Sequence, residues 1–337
     1  MRVAIDSGPL TGGDAIRGIG FHTKELLKEL EKLQNKDFQI EAVDFKNADL
    51  SKYDVIHYPY FIPHALTLPF VKPSKKVIVT IHDLIRLIYP ENYPPGIKGQ
   101  LKFLIQKFNL RNVDSIITIS ETSKKDIVRF LNINPEKIFV TYLAPQTKMK
   151  TKSEQKLNLP KDFVLYVGDV NFNKNLLNLA KAIKIAKLKL VIVGKQAVNE
   201  NVDDNIENKP WREFLRLYKN DPDIIRLGFV EDLDDVFKKA TLYCQPSFYE
   251  GFGLPILEAF ERNVPVVASR TQALVEVGDN SCVYFDPKNP DDIAEKLLEV
   301  FKDKKLQDEL IKKGRNRLKK FSWEKCARAT LSVYETI

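Results

Sequence analysis

Short apolar runs alternate along the chain with longer stretches in which apolar residues recur at three- and four-residue spacing. The runs Val3–Asp6, Gln39–Val43, Val55–Tyr58, Val77–Ile81 and Ser115–Ile119 are rich in β-branched residues and too short for helices, so each predicts a strand. Helical patterns fill most of the intervals, and this alternation predicts a doubly wound sheet. Between Ala144 and Pro160 the pattern lapses. Pro145, Lys148, Lys150, Thr151, Lys152, Ser153, Glu154 and Lys156 make a polar, charged connection that reads as an interdomain linker. A second series follows, with strands predicted over Phe163–Val167, Leu190–Val193, Ile224–Leu227, Leu242–Gln245, Val264–Ala268 and Ser281–Phe285. The expected fold class is α/β, with two Rossmann-like domains facing each other across a cleft. No short-period repeat or low-complexity tract argues for another architecture.

In open parallel sheets ligands lie outside the carboxyl ends of the strands, so the residues that follow each run are the candidates for chemistry. The stretch Ser247–Glu258 sets two carboxylates around a glycine-interrupted turn, Glu250 in a loop and Glu258 in a helix. Pro255 suits a first helical turn, and Ile256, Leu257, Ala259 and Phe260 give the helix an apolar face. Gly251, Phe252, Gly253 and Leu254 therefore lead into a helix N-terminus, where free N–H groups and the helix dipole favour a phosphate or a sugar hydroxyl. Glu258 could accept two hydrogen bonds from a vicinal diol such as a ribose. On spacing alone, a capped core helix with solvated glutamates fits as well.

The run Val77–Ile81 ends in His82 and Asp83, an imidazole and a carboxylate at a strand end. A lone histidine there is more often structural, and Asp83 could orient the ring, contact an acceptor or cap the next turn. His57 falls near the same edge and suits loop anchoring as well as ligand binding; His22 and His64 read as structural. After the first strand, Thr11–Gly20 is dense in glycine, which allows a backbone to approach a phosphate or substrate closely. It is neither a P-loop nor a dinucleotide fingerprint, since no Gly-Lys-Ser/Thr follows and Gly13, Gly18 and Gly20 have the wrong spacing.

Glu250 and Glu258, wrapped around EGFGLP, preceded by Pro246–Ser247 and followed by Pro265–Ser269, resemble the donor-site signature of family 4 retaining glycosyltransferases, which have the GT-B fold. The resemblance spans nearly the whole chain and is strongest from Gly168 onward. It implies that Glu250, Phe252 and Gly253 contact the donor sugar, with Gly251 in the same turn, Leu254 near the phosphate and Glu258 on the ribose. His82 would lie beside the sugar, and Gly12, Gly13 and Arg17 would cover the diphosphate and acceptor side. His82, Asp83, Glu250 and Lys174 are the catalytic candidates. Lys174, with Asn173 and Asn175, matches a phosphate and hydroxyl site, but Asp169 stands where family members commonly carry an arginine, a charge that Arg17 could supply. The segment Ile225–Val230 resembles the one whose backbone meets the nucleotide base, which makes Val230 a donor-side residue. Phe321–Lys325 resembles the start of a final helix that crosses back to the first domain. The implied domains are 1–147, an acceptor domain; 148–321, a nucleotide-sugar donor domain; and 322–337, the crossing helix.

The implied activity is retaining, metal-independent transfer of a hexose, of mannose or glucose type, in cell-surface polysaccharide synthesis. The donor would be a nucleotide diphosphate sugar, GDP-mannose or a UDP-sugar, with no cofactor, and the acceptor a saccharide or a lipid-linked saccharide. A nucleotide-sugar 2-epimerase of the same fold and a catalytically silent sugar-nucleotide binder are the alternatives; Asp169 keeps the second open.

Composition and charge narrow this picture further. The 337 residues, 44% hydrophobic, suffice for two packed domains. Cys244, Cys282 and Cys326 are odd in number and far apart, against a disulfide framework or zinc site and compatible with a reducing compartment. The first residues run straight into a strand pattern and no stretch is long and apolar enough to span a membrane, so a cytoplasmic protein is expected, with the inner face of the cell membrane as a peripheral location. A net charge of +8 asks for an anionic partner: the nucleotide sugar, a lipid diphosphate or an anionic membrane. No zinc-finger spacing or RNP-like motif is present, so nucleic acid is not expected. In Ile97–Arg111, Ile97, Leu101, Leu104, Ile105 and Phe108 share one helical face, with Lys98, Lys102 and Arg111 elsewhere. This predicts a core-facing helix in preference to a membrane-surface one.

Overall fold

The structure, a computed structural model, describes residues 1–11, 18–145 and 157–336. Gly12, Gly13 and Arg17 lie outside the described residues, as do Lys148, Lys150, Thr151, Lys152, Ser153, Glu154 and Lys156 of the expected linker. The chain divides into two compact units, Met1–Ala144 with Phe321–Ile337, and Pro145–Lys320.

The first unit is built on six parallel strands, β1 (Arg2–Asp6), β2 (Gln39–Val43), β3 (Val55–Tyr58), β4 (Lys76–Ile81), β5 (Ser115–Thr118) and β6 (Ile138–Val140). Their order is β2-β1-β3-β4-β5-β6. Every residue of β3 and β5 is buried, as expected of parallel strands covered by helices on both faces. The strand β6 is missing from the sequence-based expectation. It is a three-residue edge strand with only Ile138 buried, too short to show a pattern. The last helix, Trp323–Thr336, packs on the Gly18–Glu31 helix, where Phe21 meets Trp323 edge to face at 5.5 Å.

One expectation is overturned here. The Gly96–Asn109 helix buries Gly99, Gln106 and Asn109 and leaves Ile97, Leu101, Leu104 and Phe108 exposed, so its apolar stripe points to solvent. On the inward face Phe103 packs against the core, and the fully buried side chains are the amides that a neighbouring loop needs as hydrogen-bond partners. Gln106 Oε1 accepts from Thr67 Oγ1 at 2.9 Å and from the Leu68 amide at 3.1 Å, and Asn109 Nδ2 donates to the Leu68 carbonyl at 2.9 Å.

The second unit repeats the design with β7 (Val164–Val167), β8 (Leu190–Val193), β9 (Ile224–Leu227), β10 (Leu242–Gln245), β11 (Val266–Ser269) and β12 (Cys282–Phe285). All six are parallel in the order β12-β11-β10-β7-β8-β9. The chain runs from β7 outward through β8 and β9, then returns to place β10 on the other side of β7. Loops leaving β7 and β10 thus diverge at their carboxyl ends, the point where such sheets bind ligands. Tyr166, Phe214 and Trp211 anchor the core, and all three cysteines of the chain are buried free thiols. Among the described residues, no helix is long and apolar enough to cross a membrane.

Close approach of two loops fixes this edge of the sheet. A Cβ on Gly194 would lie 2.1 Å from the Gly168 carbonyl oxygen, a backbone atom that cannot swing aside. Gly194→Ala is therefore expected to destabilise the second unit by about 1–3 kcal/mol or more. An unchanged denaturation midpoint would show that the two loops separate freely.

Candidate active site

At the carboxyl ends of β7 and β10 the structure assembles a buried polar cluster. Both carboxylate oxygens of Glu250 accept from Lys174 Nζ, at 2.8 and 2.9 Å. Oε1 also accepts from Ser247 Oγ at 2.6 Å and from Gln245 Nε2 at 2.9 Å. Tyr243 donates its hydroxyl to the Gln245 side-chain oxygen, which fixes the amide with its nitrogen toward Glu250. A carboxylate taken out of water is tolerated only when paired and hydrogen-bonded, and these donors meet that need. Lys174 and Glu250, separate candidates in the sequence, are thus one unit.

Two asparagines join the same loops. Asn173 accepts at its carbonyl from the Phe248 amide at 2.8 Å and donates from its side chain to the Tyr249 carbonyl at 3.1 Å. Asn175, in the left-handed conformation, donates to the Pro246 and Pro287 carbonyls at 2.9 and 2.7 Å. Both residues shape the loop that carries Lys174. Asp169 is exposed, and its backbone carbonyl accepts from the buried Tyr166 hydroxyl at 2.6 Å. That bond fixes the backbone and leaves the carboxylate in solvent.

Beyond Glu250 the chain turns into the Leu254–Glu261 helix. Gly253 starts it at φ 121°, a conformation that favours glycine, and a Cβ there would meet Leu274 Cδ2 at 2.8 Å. Gly251 and Phe252 are buried in the turn, and Leu254 is half-buried. Glu258, one turn into the helix, is half-buried, and among the described residues its carboxylate has no hydrogen-bond partner. Burial pushes its pKa above the usual carboxylate range, an effect that the Arg262 guanidinium partly offsets. Val230, just beyond β9, is buried.

In the first unit, His82 follows directly on β4. Its Nε2 lies 2.8 Å from Nδ1 of His22, whose ring stacks on Trp323 at 5.9 Å and is wholly buried. One imidazole donates and the other accepts across that contact, so the tautomers of the two rings are coupled. His22 is the neighbour of His82 that the sequence hides: it stands 60 residues away and carries no motif. Its own Nε2 is buried without a hydrogen-bond partner among the described residues. Ser123 Oγ donates to the His82 carbonyl at 2.8 Å. Asp83 accepts from the Ile85 amide at 3.2 Å and so caps the next turn. His57 is buried, its Nδ1 paired with Tyr334 at 2.7 Å and its Nε2 with Thr80 at 2.7 Å, which makes it an anchor for the last helix.

Comparison with known proteins places this arrangement. The model described as Glycosyl transferases group 1 matches residues 148–317, half of the chain, and one described as Glycosyltransferase Family 4 matches residues 37–144. The chain belongs to the glycosyl transferases group 1 family. It is 28% identical over 302 residues to O-antigen chain mannosyltransferase B of Escherichia coli, covering 84% of this chain and 74% of that protein. Identity with the MMP alpha-(1->4)-mannosyltransferase of Mycolicibacterium hassiacum is 27% over 315 residues, 89% of this chain and 74% of the relative. Among solved structures, the sucrose-phosphate synthase of Thermosynechococcus elongatus superposes with a TM-score of 0.72 at 18% identity, covering 100% of this chain and 98% of that one. HepE of Anabaena in complex with UDP-glucose gives 0.73 at 15% identity, covering 100% of both chains. The fold of this family member is accordingly GT-B.

The buried histidines carry a pH signature. Burial holds His57 at about 3 and His82 at about 4, below the ordinary 6.5, and lowers His22 well below that value, helped by the neighbouring imidazoles. The folded protein therefore keeps these rings neutral while the unfolded chain protonates them. Their contribution to stability is present in full above about pH 6.5 and is lost as pH falls toward about 4. His57→Gln should start less stable at neutral pH, yet lose less stability between about pH 7 and about pH 5, above the range of most carboxylates. Parallel pH slopes in chemical denaturation for the two proteins would refute the assignment.

Proposed function

We propose that this family member is a retaining, metal-independent hexosyltransferase that moves mannose or glucose from a nucleotide diphosphate sugar to a saccharide or lipid-linked acceptor in cell-surface polysaccharide synthesis. The observation that carries the proposal is the Lys174–Glu250 pair beside the glycine turn, at the point where the loops after β7 and β10 diverge. The likeness to an O-antigen chain mannosyltransferase supports mannose; the UDP and UDP-glucose bound by HepE support the nucleotide-sugar class of donor, GDP-mannose or a UDP-sugar.

In this reading Lys174 and the amides around Gly253 meet the diphosphate, Glu250 orients the sugar and Glu258 holds the ribose. Glu258 suits that role because it is an acceptor with no hydrogen-bond partner among the described residues. A ribose diol would supply two donors. Val230 lies on the base side, and Gly12, Gly13 and Arg17 keep their place on the diphosphate and acceptor side by resemblance alone. His82, with its ring held by His22, contacts the donor sugar, and Asp83 shapes the turn beside it. The bond between the anomeric carbon and the leaving phosphate oxygen breaks as the acceptor hydroxyl oxygen bonds on the same face. The hydroxyl proton passes to the leaving phosphate oxygen. Charge growing on the diphosphate is stabilised by Lys174 and the helix-terminal amides, with no reorganisation needed at the moment of transfer.

Donor identity is tested by thermal-shift binding of GDP-, UDP- and ADP-sugars, followed by product analysis; a 2-epimer formed without transfer would replace the proposal. Glu258→Ala is expected to weaken nucleotide binding by roughly 1.5–3 kcal/mol, the size of a hydrogen bond to a charged group. Unchanged affinity for the bare nucleotide would remove Glu258 from the ribose.

Glu250→Gln should separate the two roles of the buried cluster. Turnover is expected to fall by about a hundredfold, while nucleotide diphosphate affinity holds or rises because Lys174 is released from its carboxylate. His82→Ala should likewise lower turnover more than affinity. A loss confined to nucleotide binding would move either residue away from the sugar.

A further inference from the structure

The outward face of the Gly96–Asn109 helix is apolar along its whole length. Ile97, Leu101, Leu104 and Phe108 are 90%, 60%, 62% and 56% exposed, at spacings of four, three and four. They form a stripe about 16 Å long at 1.5 Å per residue. The loop before β4 widens it with Phe70 and Val71, 63% and 78% exposed. Asn112 Nδ2 donates to the Phe70 carbonyl at 3.0 Å, fastening that loop to the end of the helix. An exposed apolar patch of this extent marks an interaction surface.

Its charge says which kind. The sequence has no Asp or Glu from Asn92 to Val113, and none from Val55 to His82. Lys98, Lys102, Lys107 and Arg111 lie on the same helix and the turn that ends it, with the Arg111 guanidinium 4.8 Å from the centre of the Phe108 ring. A cavity of about 370 Å³ opens at this end, with Lys107, Arg111, Lys137, Asn132 and Asn134 as its polar side, apolar side chains for the rest and no carboxylate in its wall. We propose that this face docks the protein on an anionic lipid bilayer. The apolar stripe enters the boundary between headgroups and acyl chains, the lysines reach the headgroup phosphates, and the cavity takes one such phosphate. Long basic side chains flanking an apolar stripe are suited to that interface. The 14-residue helix is too short to span. A second copy of this chain is a poor occupant, because the same cations would face each other. The docking is independent of the transfer reaction proposed above and needs no donor.

The test is co-sedimentation of the full chain with vesicles of phosphatidylcholine alone, or of phosphatidylcholine mixed with phosphatidylglycerol. Binding is expected only to the mixed vesicles and should weaken with salt. Each lysine near an anionic surface strengthens binding about fivefold, so the Lys98→Glu, Lys102→Glu double variant should partition more than about tenfold less. Leu101→Ser with Leu104→Ser should lose binding at low and high salt alike, with the melting temperature unchanged because both positions are exposed. Equal binding to neutral vesicles, or wild-type binding by both double variants, overturns the proposal. So does self-association in sedimentation velocity that the leucine variant abolishes while vesicle binding is absent, since the face would then join copies of the chain.

Discussion

A carboxylate shut away from water governs the second unit. The buried Glu250 carboxylate needs hydrogen-bond donors on its oxygens, and the donors come from both strands that flank the reversal in strand order. Lys174 arrives on the loop after β7, whereas Gln245 and Ser247 come from β10 and its extension. The asparagines beside Lys174 hold the loops at the spacing that this pairing needs. Gly194 lets the neighbouring turn close against Gly168. A charged pair thus sets the geometry of two loops.

The first unit solves a similar problem with neutral groups. His57 and His22 sit where a protonated ring would have no counter-ion, and burial keeps them uncharged. His57 then bridges Tyr334 and Thr80 through its two ring nitrogens, and His22 reaches His82 through one. A buried imidazole that must stay neutral is a good orienting group because its donor and acceptor ends are distinct.

Strand runs were readable because parallel strands buried on both faces show as unbroken β-branched segments; β6, at an edge and three residues long, had no such signature. The residue types of the second-unit cluster were equally visible, since the glycine turn, Glu250, Glu258 and Lys174 lie in compact motifs. Their pairing was not, because Lys174 and Glu250 are 76 residues apart. The Gly96–Asn109 helix shows a different limit. Periodicity reveals that a helix has two faces but not which one turns inward, and here the decision rests on the amides of Gln106 and Asn109 meeting the backbone near Leu68. Gly12, Gly13 and Arg17 are legible only as a glycine-dense loop and lie outside the described residues.

The last helix has a consequence for how the protein is made. Trp323 and Tyr334 complete the unit that the first 144 residues begin, by covering His22 and pairing with His57. A ribosome delivers the chain from its amino end, so the whole second unit emerges before the first can close its core. The contacts of Trp323 with His22 and of Tyr334 with His57 can form only after those residues have been made. The unit encoded first is then the one finished last.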